Sequence, residues 1–211
     1  MKIESYSHNY IKLAPDTFPQ CDRDSLLQLR DELEGETHIV VDPGTDEIRG
    51  GRDGYMIDKN DLFTEIEKVK NDDSYMFSLT KILLTEEKHR SIFSTFLRNI
   101  NIPVKNNFRL TIHTFYPSSG SGGDIKPHID GFPGTCNINI PLKPIFTPIS
   151  FLDKDENIID ECVYENSPTI LNTEAYHGVF NGDSERIYGM VKLPVPFEQI
   201  YKKLIGETHG T

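Results

Sequence analysis

Eight short segments between residues 108 and 193 constrain the fold of this chain more than any other feature. Their dominant period is two, and Gly, Pro and Asn lie between them. They cover residues 108–116, 125–130, 136–142, 145–152, 158–164, 168–172, 175–180 and 186–193. A period of two predicts β-strands, because successive side chains of a strand point to opposite faces. Eight short antiparallel strands fit a jelly roll, so the sequence predicts a mainly β protein (α+β) with a cupin-like double-stranded β-helix and flanking helices.

Before residue 108, the apolar residues recur mainly at helical spacing. The pattern there predicts helices at 24–34, 60–71 and 86–99 and strands at 38–41 and 75–84. We expect residues 1–107 to support a β core of 108–194, and residues 195–211 to form a C-terminal helix and tail. With no internal repeat and no clear linker, residues 1–211 are predicted to be a single domain.

The stretch 42–58 contains four glycines and predicts a long loop. Two roles fit such a loop. It is either an ordinary surface connection or a lid over the mouth of the barrel, with Arg49 or Arg52 contacting substrate.

Charge and composition exclude several classes of partner. The net charge is −11, from 22 basic and 33 acidic side chains, and a surface this acidic repels phosphate backbones, so no duplex nucleic acid is expected. No apolar run approaches the length of a membrane span, and Met1–Tyr6 lacks an apolar signal region. The three cysteines form no CxxC pair, which predicts reduced thiols in a cytoplasmic protein.

His128 and Asp130 are two residues apart in a segment with strand-like flanks. Because alternate residues of a strand share a face, the imidazole and the carboxylate can bind neighbouring positions of one divalent metal. His177 is the candidate third ligand, since several short strands separate it from the pair and can return it to the same place. Two His and one carboxylate are the set that non-haem Fe(II) oxygenases use, with the other metal positions open. Alone, the pair also fits a surface turn, because Pro127 precedes it and Gly131 follows it.

Arg186 follows His177 closely and opens the apolar segment 186–193. A guanidinium inside a β-barrel needs an anionic partner to offset its desolvation. A dicarboxylate co-substrate that also chelates the metal would supply that partner. The alternative is an ordinary surface arginine at the start of a strand.

The order of these residues resembles a known family, the Fe(II)- and 2-oxoglutarate-dependent oxygenases, whose motif is His-x-Asp, a distal His and then Arg or Lys. The prolyl-hydroxylase branch is the most similar. Residues 115–122, Phe-Tyr-Pro-Ser-Ser-Gly-Ser-Gly, resemble its Tyr-Pro-x-x-Gly-x-Gly approach to the His-x-Asp pair. The resemblance covers residues 108–194, about half of the chain, and its ordered set of motifs is more specific than His-x-Asp alone.

The resemblance implies a catalytic metal set of His128, Asp130 and His177, which binds Fe(II), and an Arg186 that pairs with the distal carboxylate of 2-oxoglutarate. It also implies the reaction, in which O₂ decarboxylates 2-oxoglutarate to succinate and an unactivated C–H bond is hydroxylated, with ascorbate as an activator. Family members that halogenate have a small residue where this chain has Asp130. The carboxylate therefore implies hydroxylation or a related oxidation.

The same resemblance implies roles for two tyrosines. Tyr116 matches the Tyr of the approach motif, which reaches the carboxylate of the co-substrate in the resembling enzymes, and it is otherwise a core or rim tyrosine. The family often has Ser or Thr two residues after the Arg. Here that position is Tyr188, whose hydroxyl can substitute.

Asn137 and Asn139 alternate with Ile138 and Ile140, so one face of this predicted strand is polar. If that face lines the metal cavity, Asn139 contacts co-substrate or substrate. If it faces solvent, both amides are inert. His113 is expected to be a satisfied strand histidine and not a ligand.

The leading hypothesis is a dioxygenase that hydroxylates an amino-acid, peptide or protein side chain, of the prolyl- or aspartyl/asparaginyl-hydroxylase type. A non-catalytic, cupin-like module that binds metal and a small acid is the alternative from another class. An oxygenase acting on a small metabolite or nucleobase is the third hypothesis.

Overall fold

The structure is a computed structural model that describes residues 2–33, 38–41, 55–57, 77–84, 86–102, 108–117, 125–130, 133–180 and 184–206. In these residues the chain forms a short 3-10 helix, Pro15–Thr17, and three α-helices. The α-helices are α1 (Gln20–Leu33), α2 (Glu87–Asn99) and α3 (Phe197–Gly206). None of the described helices is both long and apolar enough to cross a membrane.

The strands of the described residues fall into two groups along the chain. The first five are β1 (Ile3–Tyr6), β2 (Tyr10–Leu13), β3 (His38–Val41), β4 (Tyr55–Ile57) and β5 (Phe77–Leu83). The later ones are β6 (Arg109–Pro117), β7 (Ile125–His128), β8 (Cys136–Pro141), β9 (Ile149–Leu152), β10 (Ile158–Cys162), β11 (Thr169–Leu171), β12 (His177–Val179) and β13 (Arg186–Leu193). These later strands match the eight segments that the sequence pattern predicts. Strands β7 to β12 are shorter than predicted, β6 is shifted by one residue, and β13 has the predicted bounds.

The strands form a larger sheet of nine, in the order β1-β2-β11-β8-β13-β6-β5-β3-β4, and a smaller one of four, in the order β10-β9-β12-β7. The chain from β6 to β13 crosses repeatedly between the two sheets, and every pair is antiparallel. This topology is the double-stranded β-helix. The predicted fold class, a mainly β protein with a jelly-roll core and flanking helices, is confirmed.

The larger sheet has one face toward the helices and one toward the smaller sheet. In β8, Ile138 and Ile140 are fully buried in the core that also contains Phe93 of α2. The intervening Asn137 and Asn139 face the smaller sheet and are 7% and 6% exposed. The interpretation that these amides face solvent is therefore wrong, because β8 is a central strand with both faces covered.

The helices agree with the sequence pattern apart from one boundary. The helix predicted at 86–99 is confirmed as α2, and the C-terminal helix is confirmed as α3. Helix α1 begins at Gln20 and not at residue 24, because the backbone carbonyl of Pro19 accepts hydrogen bonds from the amides of Asp22 and Arg23. The helix predicted at 60–71 lies outside the described residues, as does most of the loop predicted at 42–58, including Arg49 and Arg52. The described part of that loop, Tyr55–Ile57, is strand β4 and pairs with β3, so the loop prediction is wrong there.

Arg23 connects α1 to three other segments of the chain. It is only 3% exposed. Its guanidinium donates hydrogen bonds to the backbone carbonyls of Phe18, of Pro15 at 3.1 Å, of Pro141 at 3.0 Å and of Asn166 at 2.6 Å. One side chain thus links the start of α1 to the end of β8 and to the connection before β11.

Arg23→Met is expected to lower the free energy of unfolding by about 3 kcal/mol, because it leaves buried carbonyl groups without donors. Chemical denaturation measures the change. Arg98→Met is the control, since Arg98 is exposed on α2 and is expected to change stability by about 0.5 kcal/mol or less. Equal losses in the two variants would contradict the role assigned to Arg23.

Candidate metal centre

Three side chains meet at one end of the small sheet. His128 is the last residue of β7, Asp130 follows two positions later, and His177 is the first residue of β12. β7 and β12 are neighbours, and His177 lies directly opposite His128 in their register. The potential ligand atoms of the three residues all lie within 4.8 Å of one another. His128 Nε2 is 3.7 Å from Asp130 Oδ1, and the two imidazole rings have centroids 4.6 Å apart.

The backbone around the two histidines explains this close approach. Gly178 follows His177, and a Cβ atom at this position would be 2.9 Å from the carbonyl oxygen of Ile125 and 3.2 Å from the nitrogen of Pro127. Glycine therefore allows β12 to lie against β7 without a clash. The register also shifts between His177 and Val179, which is typical of a bulge beside a functional site.

The protonation state of His177 follows from its hydrogen bond. Its Nδ1 lies 2.7 Å from the backbone carbonyl oxygen of Ala175. Because a carbonyl only accepts, Nδ1 carries the proton and Nε2 keeps its lone pair. Burial, followed by the charge of His128, lowers the pKa of His177 below its ordinary value. The ring is thus a neutral imidazole, which is the form that binds metals.

Asp130 is held as a carboxylate. Burial is the largest single influence and would raise the pKa of Asp130, but the nearby imidazole of His128 and the charges of His177 and Lys192 together lower it below its ordinary value. The backbone amide of Asp130 donates to the carbonyl of Thr173 at 3.1 Å. Asn137 donates from Nδ2 to Asp130 Oδ2 at 3.0 Å. Sequence reasoning missed this role of Asn137.

Two imidazoles and a carboxylate in this arrangement fit a divalent transition-metal ion. Ligand atoms about 2 Å from a shared ion lie at most about 4 Å apart. The limit of 4.8 Å in the structure is slightly wider, so small side-chain movements bring the three donors to one ion. The donor set is the one used by non-haem Fe(II) sites, although the metal role of His128, Asp130 and His177 stays a prediction.

Arg186 lies inside the double-stranded β-helix. It is the first residue of β13, opposite Phe115 of β6, and is only 5% exposed. Its guanidinium carbon is 5.1 Å from the centre of the Phe115 ring. The interpretation of Arg186 as a surface arginine is wrong, because β13 lies between β6 and β8 with its inner face covered by the smaller sheet.

Two phenols lie in the electrostatic field of Arg186. Burial raises the pKa of Tyr164 well above its ordinary value, and the charge of Arg186 only partly opposes this. Burial likewise raises the pKa of Tyr188, again against the charge of Arg186. Both phenols are therefore neutral and can donate hydrogen bonds. No motif in the sequence pointed to Tyr164, which lies between β10 and β11.

Two other predicted residues, Asn139 and His113, lie on the same inner face. Asn139 donates from Nδ2 to the hydroxyl oxygen of Tyr164 at 3.1 Å. It therefore contacts one of the two phenols that lie in the field of Arg186. Tyr116 pairs with Ser78 across β6 and β5, but its side chain is outside the described part of the structure. His113 Nε2 is 2.7 Å from Thr111 Oγ1, and among the described residues the His128–Asp130–His177 group does not include it.

No protein-family model matches this sequence, and no curated protein is detectably similar to it. Solved structures share its fold. One is the non-heme alpha ketoglutarate dependent epimerase SnoN from nogalamycin biosynthesis, which is 11% identical to this chain. The alignment covers 87% of this chain and 77% of that one, and the TM-score is 0.51. The alpha ketoglutarate dependent carbocyclase SnoK from nogalamycin biosynthesis is 12% identical, with 87% and 78% covered and a TM-score of 0.51. A prolyl-4-hydroxylase from Pseudomonas putida is 11% identical, with 88% and 91% covered and a TM-score of 0.49.

At these identities the similarity establishes the fold alone. The fold is the double-stranded β-helix that the resemblance to the 2-oxoglutarate oxygenases predicts, so the resemblance is confirmed at this level. An epimerase and a carbocyclase share the same architecture, and the substrate class therefore has to be argued from the site itself.

Proposed function

We propose that this chain is a 2-oxoglutarate-dependent non-haem Fe(II) dioxygenase. The observation that carries the proposal is the meeting of His128, Asp130 and His177 at one end of a double-stranded β-helix whose interior holds the buried Arg186. A three-ligand site and a buried cation are the two features that binding of Fe(II) and a dicarboxylate requires.

The three ligands would hold Fe(II) through two neutral imidazoles and one carboxylate. When bound, the metal supplies O₂ activation, which couples decarboxylation of 2-oxoglutarate to succinate with oxidation of a C–H bond. The contribution of the chain is to keep each donor in its binding form. The carbonyl of Ala175 fixes the tautomer of His177, and the surrounding charges keep Asp130 ionised.

Arg186 would pair with the distal carboxylate of 2-oxoglutarate. A carboxylate matches the planar guanidinium fork and compensates its charge within the buried interior. The neutral phenols of Tyr164 and Tyr188 lie in the field of Arg186, so either can donate to the same carboxylate. Asn139, through its contact with Tyr164, belongs to the proposed co-substrate pocket. Tyr116 is assigned to it only because it matches the Tyr of the prolyl-hydroxylase approach motif.

Tyr164→Phe is expected to raise the KM for 2-oxoglutarate about 10-fold with little change in kcat, because a hydrogen bond to a charged group is lost. Steady-state succinate release measures both constants. Tyr201→Phe on α3 removes a hydroxyl far from the site, where the ring packs against Tyr6 and Phe197, and is the control. A KM for Tyr164→Phe within twofold of the wild type would contradict the assignment.

The proposed substrate is an amino-acid, peptide or protein side chain, and the proposed reaction is hydroxylation. Two sequence features support this finer assignment. Asp130 is a carboxylate where a halogenating enzyme would have a small residue, and residues 115–122 resemble the approach motif of prolyl hydroxylases. A prolyl- or aspartyl/asparaginyl-type activity is therefore the first to test.

The test is succinate formation by the purified protein with Fe(II), ascorbate and labelled 2-oxoglutarate, alone and with peptides that contain Pro, Asp or Asn. We expect slow release without a peptide and faster release with a substrate peptide, whose mass increases by one oxygen atom. His128→Ala is the control and should show neither. Binding of 2-oxoglutarate without any succinate would favour the metal- and acid-binding module instead.

A further inference from the structure

We infer that Asn137 is a positioning residue of the metal centre, which restricts Asp130 to binding through one oxygen atom. The inference rests on the proposed function, because it concerns the carboxylate ligand of the same site. It assigns a role to a residue that no motif in the sequence distinguishes.

The two oxygens of Asp130 have different surroundings. Oδ2 accepts a hydrogen bond of 3.0 Å from Nδ2 of Asn137. Oδ1 instead lies 3.7 Å from Nε2 of His128. Oδ2 is therefore engaged by Asn137, and Oδ1 is the oxygen on the side of the histidine that would share the metal.

The orientation of the Asn137 amide follows from its neighbour. A carboxylate only accepts hydrogen bonds, so the amide nitrogen and not the amide oxygen has to face Asp130. The amide oxygen of Asn137 then lies buried and receives no hydrogen bond from any residue that the structure describes. Burying an unpaired acceptor costs free energy that an apolar side chain of similar size would avoid. The hydrogen bond to Asp130 is the interaction that only the amide can provide.

The backbone of Asn137 belongs to a central strand of the larger sheet, whereas the residue it contacts lies outside the strands. Asn137 lies in β8, where it pairs with Leu171 on one side and Lys192 on the other. Asp130 lies beyond the end of β7 and is fixed there by its amide hydrogen bond to Thr173. The Asn137 hydrogen bond thus ties a ligand near the small sheet to the centre of the larger sheet.

This arrangement determines how many metal positions the protein occupies. With Oδ2 held by Asn137, the carboxylate can offer only Oδ1, and the three residues supply three ligand atoms. Without the amide, Oδ2 is released and can also bind the metal, at a position that the co-substrate needs. Asn137 therefore keeps that position open and pre-orients the carboxylate before metal arrives.

The experiment compares full-length wild type, Asn137→Leu and Thr169→Val without 2-oxoglutarate and without O₂. Calorimetric titration gives the Kd for Mn(II), and visible absorption of the Co(II)-loaded proteins reports the number and type of ligands. We expect Asn137→Leu to bind Mn(II) about 10-fold more weakly and to change the Co(II) spectrum. Thr169→Val is the matched control. It removes a buried polar group from the neighbouring β11, where the Thr169 hydroxyl donates to the carbonyl of Ser167 and to no metal ligand.

A Kd for Asn137→Leu within twofold of the wild type, or a Co(II) spectrum identical to it, would overturn the inference and leave the proposed function intact. Failure of the wild type itself to bind Mn(II) would overturn both. Thermal melting of the metal-free proteins checks folding. If the Leu variant does not fold, Asn137→Ser replaces it. In Asn137→Ser a water can bridge the serine hydroxyl to Asp130, so we expect a smaller loss of Mn(II) affinity, about 3-fold, together with a changed Co(II) spectrum. A Kd within twofold of the wild type, or an unchanged Co(II) spectrum, would overturn the inference for this variant as well.

Discussion

His177→Ala is expected to abolish succinate release from 2-oxoglutarate and to weaken metal binding by about 300-fold. A three-ligand site with a binding free energy on the order of 10 kcal/mol loses roughly a third of it with one ligand, and each 1.4 kcal/mol is tenfold. The remaining pair, His128 and Asp130, still lies near the small sheet but no longer encloses the ion. Calorimetry with Mn(II) and a succinate assay with Fe(II) measure the two effects.

The control for this variant is His89→Ala. His89 lies on α2, outside the His128–Asp130–His177 group, so its loss is expected to leave both readings unchanged. Metal affinity within 10-fold of the wild type in His177→Ala would show that the ion binds elsewhere. Retained affinity with lost turnover would instead assign His177 a role other than metal binding.

Arg186→Met is expected to weaken 2-oxoglutarate binding by roughly 150- to 5,000-fold while Mn(II) binding without the acid is preserved. Removing one partner of a buried ion pair leaves the other charge without compensation, which costs about 3–5 kcal/mol. Met keeps much of the volume of the side chain beside Phe115 and removes the charge. Calorimetric titration of 2-oxoglutarate into the Mn(II)-loaded protein gives the affinity.

Two further variants sharpen this result. Arg186→Lys keeps the charge without the planar fork, so we expect an intermediate affinity. Arg98→Met removes an exposed arginine from α2 and is expected to bind 2-oxoglutarate like the wild type. If Arg186→Met bound 2-oxoglutarate as tightly as Arg98→Met, the buried guanidinium would not be the anchor of the acid.

The fold was largely predictable because its signal is local. The change to a period of two at residue 108 is a property of neighbouring residues, and it marks strands β6 to β13 in their order along the chain. Boundaries were less accurate. The segment 145–152 forms a strand only at Ile149–Leu152, while Ile145 pairs in an isolated bridge with Glu165. Such a short bridge depends on contacts between distant residues and leaves no periodic pattern.

The candidate site was predictable only where its residues belong to a recognisable spacing. His128 and Asp130 share a short motif, and His177 and Arg186 follow in a suggestive order. The alternation in β8 predicted that Asn137 and Asn139 share a face, but not that this face is buried. That depends on how the two sheets pack, which the local sequence does not encode.

The same limit explains the two residues that sequence reasoning missed. Tyr164 lies in the field of Arg186 only because the connection between β10 and β11 passes over the inner face of the larger sheet. Asn137 reaches Asp130 only because β8 lies under the end of β7. Both interactions join a strand of the larger sheet to a connecting segment outside it, so no spacing along the chain predicts them.

The most direct test of the account is a crystal structure of the protein grown without O₂ and soaked with Mn(II) and 2-oxoglutarate. The account predicts a single metal ion bound by His128, Asp130 and His177, with Asp130 contributing one oxygen and the distal carboxylate of the acid paired with Arg186. A metal ion bound by other residues, or an acid that does not reach Arg186, would contradict it.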